Sequence, residues 1–411
     1  MLTGIKNLRV KNTLSSLITS SLTLLFFAST CLGAGGDIMV HWKGGLRLES
    51  KDKQIKLKIG GRIQHDFGFF SEDSGIRTTI GPLSDGTEPR RARIYLSGTL
   101  HKHVDFKAQY DFASGDAVFK DVYVGLGGVT GLGKIRVGHL REPFSLEEHT
   151  SSNDITFMER ALPNIFSPSR NMGIKVSNHY DNKVSWGLGL FRNTDNFAES
   201  TGDGDVNVTA RLTGTPWYKE KGKQAVHLGL SVSHRSPSNP SFRYRQRPEA
   251  HLLPRFVDTG SITSSTANLV SPEFAWVYGP VSIQTEYVHT KLDSVSGIGN
   301  PSFHGYYLQG SYFLTGEYRN YRASEGAFKG IKPLKKFNID NGTPGAWEVA
   351  VRLSSIDLND ATISGGKLDD ITLGLNWYLN PNARVMWNFI RADISAVGVA
   401  NLFQMRLQLN F

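Results

Sequence analysis

The final eleven residues, Asn401 to Phe411, alternate almost without interruption. Phe403, Met405, Leu407, Leu409 and Phe411 fall on one face of an extended chain, and Gln404, Arg406, Gln408 and Asn410 on the other. A period of two is that of a β-strand. A strand of this length with one apolar face and a terminal aromatic fits a tilted crossing of a hydrocarbon layer. An edge strand of a soluble β-sandwich alternates in the same way, so this segment alone leaves both open. The rest of the chain separates them.

Lys6, Arg9 and Lys11 form a basic start, and Leu14 to Leu32 is mostly apolar, with Leu22 to Ala28 at its heart. The small residues Gly33, Ala34, Gly35 and Gly36 follow. This predicts a secretory signal peptide over 1–34, cleaved near Gly33 or Ala34. The only cysteine, Cys31, lies inside it, so no disulfide or thiolate metal site is expected in the mature chain. Residues 35–53 read as an N-terminal periplasmic segment, with a small hairpin from Gly44 to Ser50 and then Gln54 onward. Residues 54–411 read as an all-β, sixteen-stranded antiparallel transmembrane β-barrel.

The alternation recurs near 54–70, 90–101, 103–113, 119–127, 134–140, 171–179, 183–192, 206–214, 225–235, 271–279, 281–290, 304–314, 346–356, 368–379, 382–393 and 401–411. Sixteen is even, as bacterial barrels require. His101-Lys102, Tyr180-Asp181-Asn182, Gly279-Pro280 and Asn380-Pro381 have turn chemistry. Between them lie longer stretches at 71–89, 141–170, 236–270 and 315–345. Short turns on the periplasmic side and long loops on the other make a barrel, and a sandwich has no reason for that asymmetry. The loop 141–170 is long for a structureless connector and is expected to fold into the lumen. Its segment Ile155 to Leu162 is expected to make a helical turn ending before Pro163.

The 43 glycines and the aromatics (Phe 23, Tyr 14, Trp 7) suit a barrel whose wet lumen needs polar residues. Formal net charge is +9 and falls to +6 without Lys6, Arg9 and Lys11, which points to anionic partners. An exported chain without a basic helix argues against nucleic acid. Gly128 to Lys134 has the spacing of a phosphate-binding loop, but Ile135 stands where Ser or Thr should bind magnesium, so it reads as a glycine turn. An esterase would need a Ser–His pair on neighbouring strands, for which His227, His289 and His304 are available.

Strand parity sets Ala92, Ile94 and Leu96 toward lipid, so Arg91, Arg93 and Tyr95 point inward, with Arg90 at the strand's start. Arg243, Arg245 and Arg247 share one side of an extended segment, and Arg62 follows Gly60-Gly61. Arginine is preferred over lysine where planar, forked contact with phosphate or carboxylate matters.

At these residues the chain resembles the phosphate-selective porins of Gram-negative outer membranes. The matching segments include Lys58-Ile59-Gly60-Gly61-Arg62-Ile63-Gln64, Arg90-Arg91-Ala92-Arg93, Phe119-Lys120-Asp121-Val122-Tyr123, Gly138 to Glu147, Ile155 to Arg160, and Leu373 to Tyr378. The resemblance spans the mature chain. It implies a homotrimeric channel with inward-folded loops, an arginine ladder at Arg62, Arg90, Arg91, Arg245 and Arg247, and assembly machinery that reads Phe411. Phosphate-specific members carry a lysine in the constriction loop where this chain has Glu148, followed by His149, with Arg160 further along. A carboxylate there opposes an anion.

The sequence therefore predicts an outer-membrane porin: a passive, water-filled channel for small anions (phosphate, pyrophosphate, chloride), embedded in outer-membrane lipid and needing no cofactor or metal. The alternative within transport is a general-diffusion porin of weak selectivity. The alternative from another class is a barrel hydrolase.

Overall fold

The computed structural model describes residues 38–201, 206–294 and 299–411. The expected leader and its Cys31 lie outside them. Sixteen strands close into one antiparallel barrel. In chain order they are β1 (Lys56–Glu72), β2 (Gly86–Leu100), β3 (Val104–Asp111), β4 (Val118–Val129), β5 (Gly133–Arg141), β6 (Arg170–Tyr180), β7 (Val184–Arg192) and β8 (Val206–Lys219). Then come β9 (Gln224–Ser236), β10 (Ile262–Tyr278), β11 (Val281–Ser294), β12 (Ser302–Phe313), β13 (Ala346–Asp360), β14 (Ile363–Tyr378), β15 (Ala383–Ile394) and β16 (Gly398–Asn410). The ring is sealed by β16 against β1, from Asn410↔Arg62 to Ala400↔Glu72. Closure leaves no unpaired edge in the hydrocarbon layer, where each unmet backbone group is costly.

Inside the membrane band the faces follow the alternation. On β16, Phe403, Leu407 and Leu409 are exposed, while Gln404, Arg406 and Gln408 are buried toward the lumen. At the turn rim the outward residues become aromatic. Trp347 stacks on Trp377 with centroids 5.2 Å apart, and Trp276 on Tyr278 at 6.0 Å. Such amphipathic rings suit the membrane–water boundary.

Toward the loop rim the pattern inverts. On β10, Ile262, Ala267 and Leu269 point inward and are buried, while Thr263 and Ser265 are exposed. They join an apolar cluster inside the barrel mouth with Phe144, Leu162, Phe256, Leu358 and Ile390. Beyond the lipid the outside is water, so the ordinary rule of a soluble core returns. For this reason β10 begins at Ile262 rather than near 271: the first half of the strand has no apolar outward row to mark it. Likewise the expected loop 71–89 holds a short helix, Ser74–Thr79, and the start of β2 at Gly86.

Short turns join β2–β3, β4–β5, β6–β7, β10–β11 and β14–β15 at one rim. In the β4–β5 turn Gly128, Gly131 and Gly133 all have φ near +75°, the glycine turn expected there. The stretch 315–345 departs from the expected asymmetry. It joins β12 to β13, which puts it at the short-turn rim, yet it is long. It folds back into the lumen, where Asn320–Arg322 pairs with Ala327–Lys329 and buries Tyr321 and Phe328.

The N-terminal hairpin, Ile38–Trp42 with Leu46–Ser50, pairs onto β1 from Leu46↔Ile59 to Glu49↔Lys56. It thus continues the ladder just past the end of β16. At that junction Phe411 N donates to Gly61 O at 3.0 Å, and Gly61 N donates to Phe411 O at 2.7 Å. A Cβ on Gly61 would stand 2.6 Å from the Phe411 ring, so the glycine makes room for the aromatic. Phe411 is therefore the last rung of barrel closure. Deleting it is expected to lower the yield of heat-modifiable, membrane-inserted barrel severalfold, read by gel mobility with and without boiling. Wild-type yield would show that closure does not need this rung.

Candidate functional site: the constricted lumen

The loop between β5 and β6 crosses the lumen, as its length predicted. It is irregular backbone, and its buried carbonyls need donors. The barrel wall supplies them. Gln64 and Gln408 donate to Ser152 O and Asn153 O, each at 3.1 Å. Arg384 reaches Ile155 O at 2.9 Å, Asn376 reaches Thr156 O at 2.9 Å, and Arg352 reaches Glu159 O at 3.1 Å. Arg406 takes Met158 O and pairs with Asp66 at 2.6 Å and with Glu159 at 2.7 Å. Ile155 to Leu162 is not a helical turn, because the wall takes carbonyls that a helix would offer to its own amides. The helical pieces flank it: Leu146–His149 and a 3₁₀ turn at Leu162–Phe166 that contains Pro163.

The Leu146–His149 turn is fixed at both ends. Its first amides, Leu146 N and Glu147 N, donate to the Glu286 carboxylate at 2.8 Å each. Arg160 donates to Glu147 O and Thr150 O at 3.1 and 2.9 Å. An accepting carboxyl at the N-terminus and a donating guanidinium at the C-terminus thus satisfy amides and carbonyls that a helix end leaves open. From the opposite rim the 315–345 segment meets this loop, with Arg319 donating to Asp154 O at 2.8 Å.

A cavity lies on each side of this barrier. The loop-side cavity, about 420 Å³, is lined by nine arginine and lysine side chains and three carboxylates. The turn-side cavity, about 530 Å³, is lined by Lys134, Arg136, Lys175, Arg211, His149 and Glu325 among others.

The predicted residues divide among these places. Arg90, Arg91 and Arg93 line the loop-side cavity. The β1–β2 register steps from Gln64↔Arg91 to His65↔Pro89, leaving Arg90 unpaired in a bulge. A bulge re-aims a side chain, so the adjacent Arg90 and Arg91 both reach Glu159, at 2.8 and 3.6 Å. Arg93 pairs with Asp111 at 2.7 Å. Arg62 lies beneath the loop, buried, donating to Ser152 Oγ at 2.6 Å, and lines neither cavity. Arg247 lines the loop-side cavity, but Arg243 and Arg245 do not; Arg243 pairs with Asp258 at 2.6 Å on the exposed side. The short hairpin Arg245-Gln246 with Val257-Asp258 turns these residues apart. Phe411 is at the closure seam, away from both cavities.

Glu148 does sit at the barrier, but its charge is matched. Arg160 is 3.2 Å from its carboxylate and Arg141 is 3.4 Å away. Burial alone would raise the carboxyl, but Arg160 and Arg141 hold it below its ordinary value. His149 is pushed far below the usual imidazole range by burial and by Arg211, Lys175 and Arg141, so it is neutral. Strand parity also turns Lys175 inward, since Met172, Ile174 and Val176 take the lipid face. Arg141, Arg170 and Lys120 also line the loop-side cavity and gave no periodic signal, because two of them lie where strand meets loop.

Of the three histidines available for a Ser–His pair, His227 is otherwise engaged. His227 contacts Tyr321 OH at 2.6 Å and Glu273 at 3.1 Å, and Ser231 Oγ donates to Glu273 at 2.7 Å.

The sequence matches the family described as phosphate-selective porin O and P over residues 57–411. Porin O of Pseudomonas aeruginosa is 28% identical over 90% of this chain and 90% of its own. An uncharacterized protein of Caulobacter vibrioides is 31% identical over 85% of this chain and 71% of its own. Among solved structures, the anion-selective porin of Comamonas acidovorans superposes with a TM-score of 0.54 at 14% identity, covering 87% of this chain and all of that one. The channel DcaP of Acinetobacter baumannii superposes with 0.54 at 11% identity, covering 88% and 99%. These two likenesses concern the fold.

Arg406→Ala would strand Asp66 and leave Glu159 to Arg90 and Arg91, and breaking the buried Arg406–Asp66 pair costs about 3–5 kcal/mol. The expected result is a lower midpoint of the heat-modified mobility shift and noisier single-channel current; an unchanged midpoint would remove Arg406 from the clamp. A pH series tests the same clamp from the other side. Burial opposes ionisation of Glu159, yet Arg90, Arg91 and Arg406 hold its carboxyl well below its ordinary value. Its stabilisation is complete above the unfolded value of about 4.3 and is lost only as pH falls through the lower, folded one. Current noise should therefore stay flat between about pH 7 and 5. Noise that rises within that window contradicts the clamp.

Proposed function

The chain belongs to the phosphate-selective porin O and P family, and from that premise we propose that its channel carries small oxyanions, phosphate and pyrophosphate foremost, with chloride also passing. It is an outer-membrane porin of Gram-negative type. The observation that carries the oxyanion reading is the excess of nine cations over three carboxylates around the loop-side cavity. Such a lining concentrates anions at the mouth. Successive near-equal sites let each anion be handed on without being trapped.

On this reading Arg247 and Arg255 collect anions at the outer mouth, and Arg90, Arg91 and Arg93 line the descent. Arg62, Arg160 and Glu148 set the shape of the constriction. The loop rim faces outward, and the turn rim, with the hairpin 38–50, faces the periplasm. The outward aliphatic rows meet outer-membrane lipid, Phe411 is read by the barrel-assembly machinery, and the folded barrel is a homotrimer. The protein moves solutes and catalyses nothing.

Weakly selective general diffusion is favoured by a different observation. Glu159, Asp111 and Asp121 neutralise much of the arginine charge, with Arg170 2.7 Å from Asp121. The reversal potential in a planar bilayer under a potassium chloride gradient separates the two. A potential on the chloride side supports the oxyanion channel, and one on the potassium side supports the general pore.

Glu148→Gln would release Arg141 and Arg160 from their counter-ion. The phosphate concentration that halves the chloride current should then fall about tenfold, the low end of the effect of one added charge-assisted hydrogen bond. An unchanged value would mean that these arginines do not face the permeant ion.

A further inference from the structure

Every arginine of the barrel wall that lines either cavity forms an ion pair with a carboxylate. The wall lysines that line them do not. Among the described residues, no carboxylate pairs with Lys120, Lys134 or Lys175.

Lys175 stands out among the three because it is buried, at 9% exposure. Its Nζ donates to the carbonyl of Arg141 at 2.9 Å. An ammonium has three protons to donate, and among the described residues the remaining two meet no acceptor. Arg141 lines the loop-side cavity and Lys175 the turn-side one, so this contact spans the divide between them. The neighbours leave room. Lys175 faces Gly189 on β7, which has no side chain, and Arg136 on β5, whose guanidinium is turned away to Asp105 at 2.8 Å. His149, on the loop across the same cavity, has a buried Nδ1 without a partner.

A buried ammonium without a counter-charge is costly, and an anion that completes it favours the charged form over the neutral amine. A compact point charge also suits brief contact better than a planar fork. We infer that Lys175 is the specificity-determining cation of the bottleneck: it holds a multivalent oxyanion, such as inorganic phosphate, during passage from the loop-side to the turn-side cavity. This rests on the reading of the protein as an anion channel and adds where selectivity among anions arises. The paired arginines make the lumen positive, and the unpaired lysine chooses the oxyanion.

The test uses the full-length chain in planar bilayers, with chloride current measured against added inorganic phosphate. In Lys175→Gln the phosphate concentration that halves the current should rise about tenfold, the loss of one charge-assisted hydrogen bond. Lys175→Arg should retain most of the inhibition. Lys175→Cys, in a Cys31→Ser background, should regain it after reaction with a cationic methanethiosulfonate reagent and not with a neutral one. That arm keeps the inference falsifiable should the glutamine variant assemble poorly. Wild-type inhibition in a correctly folded Lys175→Gln channel, or equal effects of the two reagents, overturns it. A wild-type channel that prefers chloride to potassium but shows no phosphate inhibition overturns the role of Lys175 and leaves the anion-channel reading standing. Preference for potassium overturns both.

Discussion

The lumen depends on one arrangement: irregular loop backbone, buried inside a barrel, is satisfied by side chains of the wall. Between Ser152 and Glu159 the loop offers carbonyls that no helix or sheet receives, and Gln64, Arg352, Asn376, Arg384, Arg406 and Gln408 receive them. Without those donors each buried carbonyl would cost a lost hydrogen bond. With them a segment that has no secondary structure of its own becomes a fixed wall of the pore. Arg406 shows the economy of this. One guanidinium holds a loop carbonyl, a strand carboxylate and a loop carboxylate.

Arginine content alone therefore misleads about conduction. The guanidiniums of Arg352, Arg384 and Arg406 face the loop, not the permeant ion. Others, such as Arg93 and Arg170, stand beside carboxylates on other strands of the wall. A pore lined with bare arginines would bind an anion too tightly to release it. Pairing lowers each site's depth while the sum stays positive, which is what conduction over several sites requires.

The barrel wall also answers to two solvents. In the membrane band the outside is hydrocarbon and the inside is wet, so Leu407 and Leu409 face out and Gln404 and Arg406 face in. Above it the outside is water, and Ile262, Ala267 and Leu269 face in to an apolar core that steadies the mouth and its loops. The same strand, β10, obeys both rules along its length, with Ser271 and Glu273 buried inward lower down.

Wherever one face of a strand met lipid, the sequence by itself was enough. The period of two, fixed by the pleat, gave sixteen strands, the inward placement of Arg91 and Arg93, the short turns and a last strand that ends on the aromatic Phe411. It also marked the β5–β6 loop as too long to be a plain connector. Tertiary structure alone decided the rest. The bulge that brings Arg90 in beside Arg91 depends on register with β1, and the separation of Arg247 from Arg243 and Arg245 depends on a two-residue hairpin pairing. The inward return of 315–345 depends on which rim the count of strands assigns it to. The matching of Glu148 by Arg141 and Arg160 joins groups from a strand end and two parts of a loop. Periodicity reports which face a residue is on, because that is set by the local backbone. It cannot report which charges meet across a lumen, because those distances are set only when the ring closes.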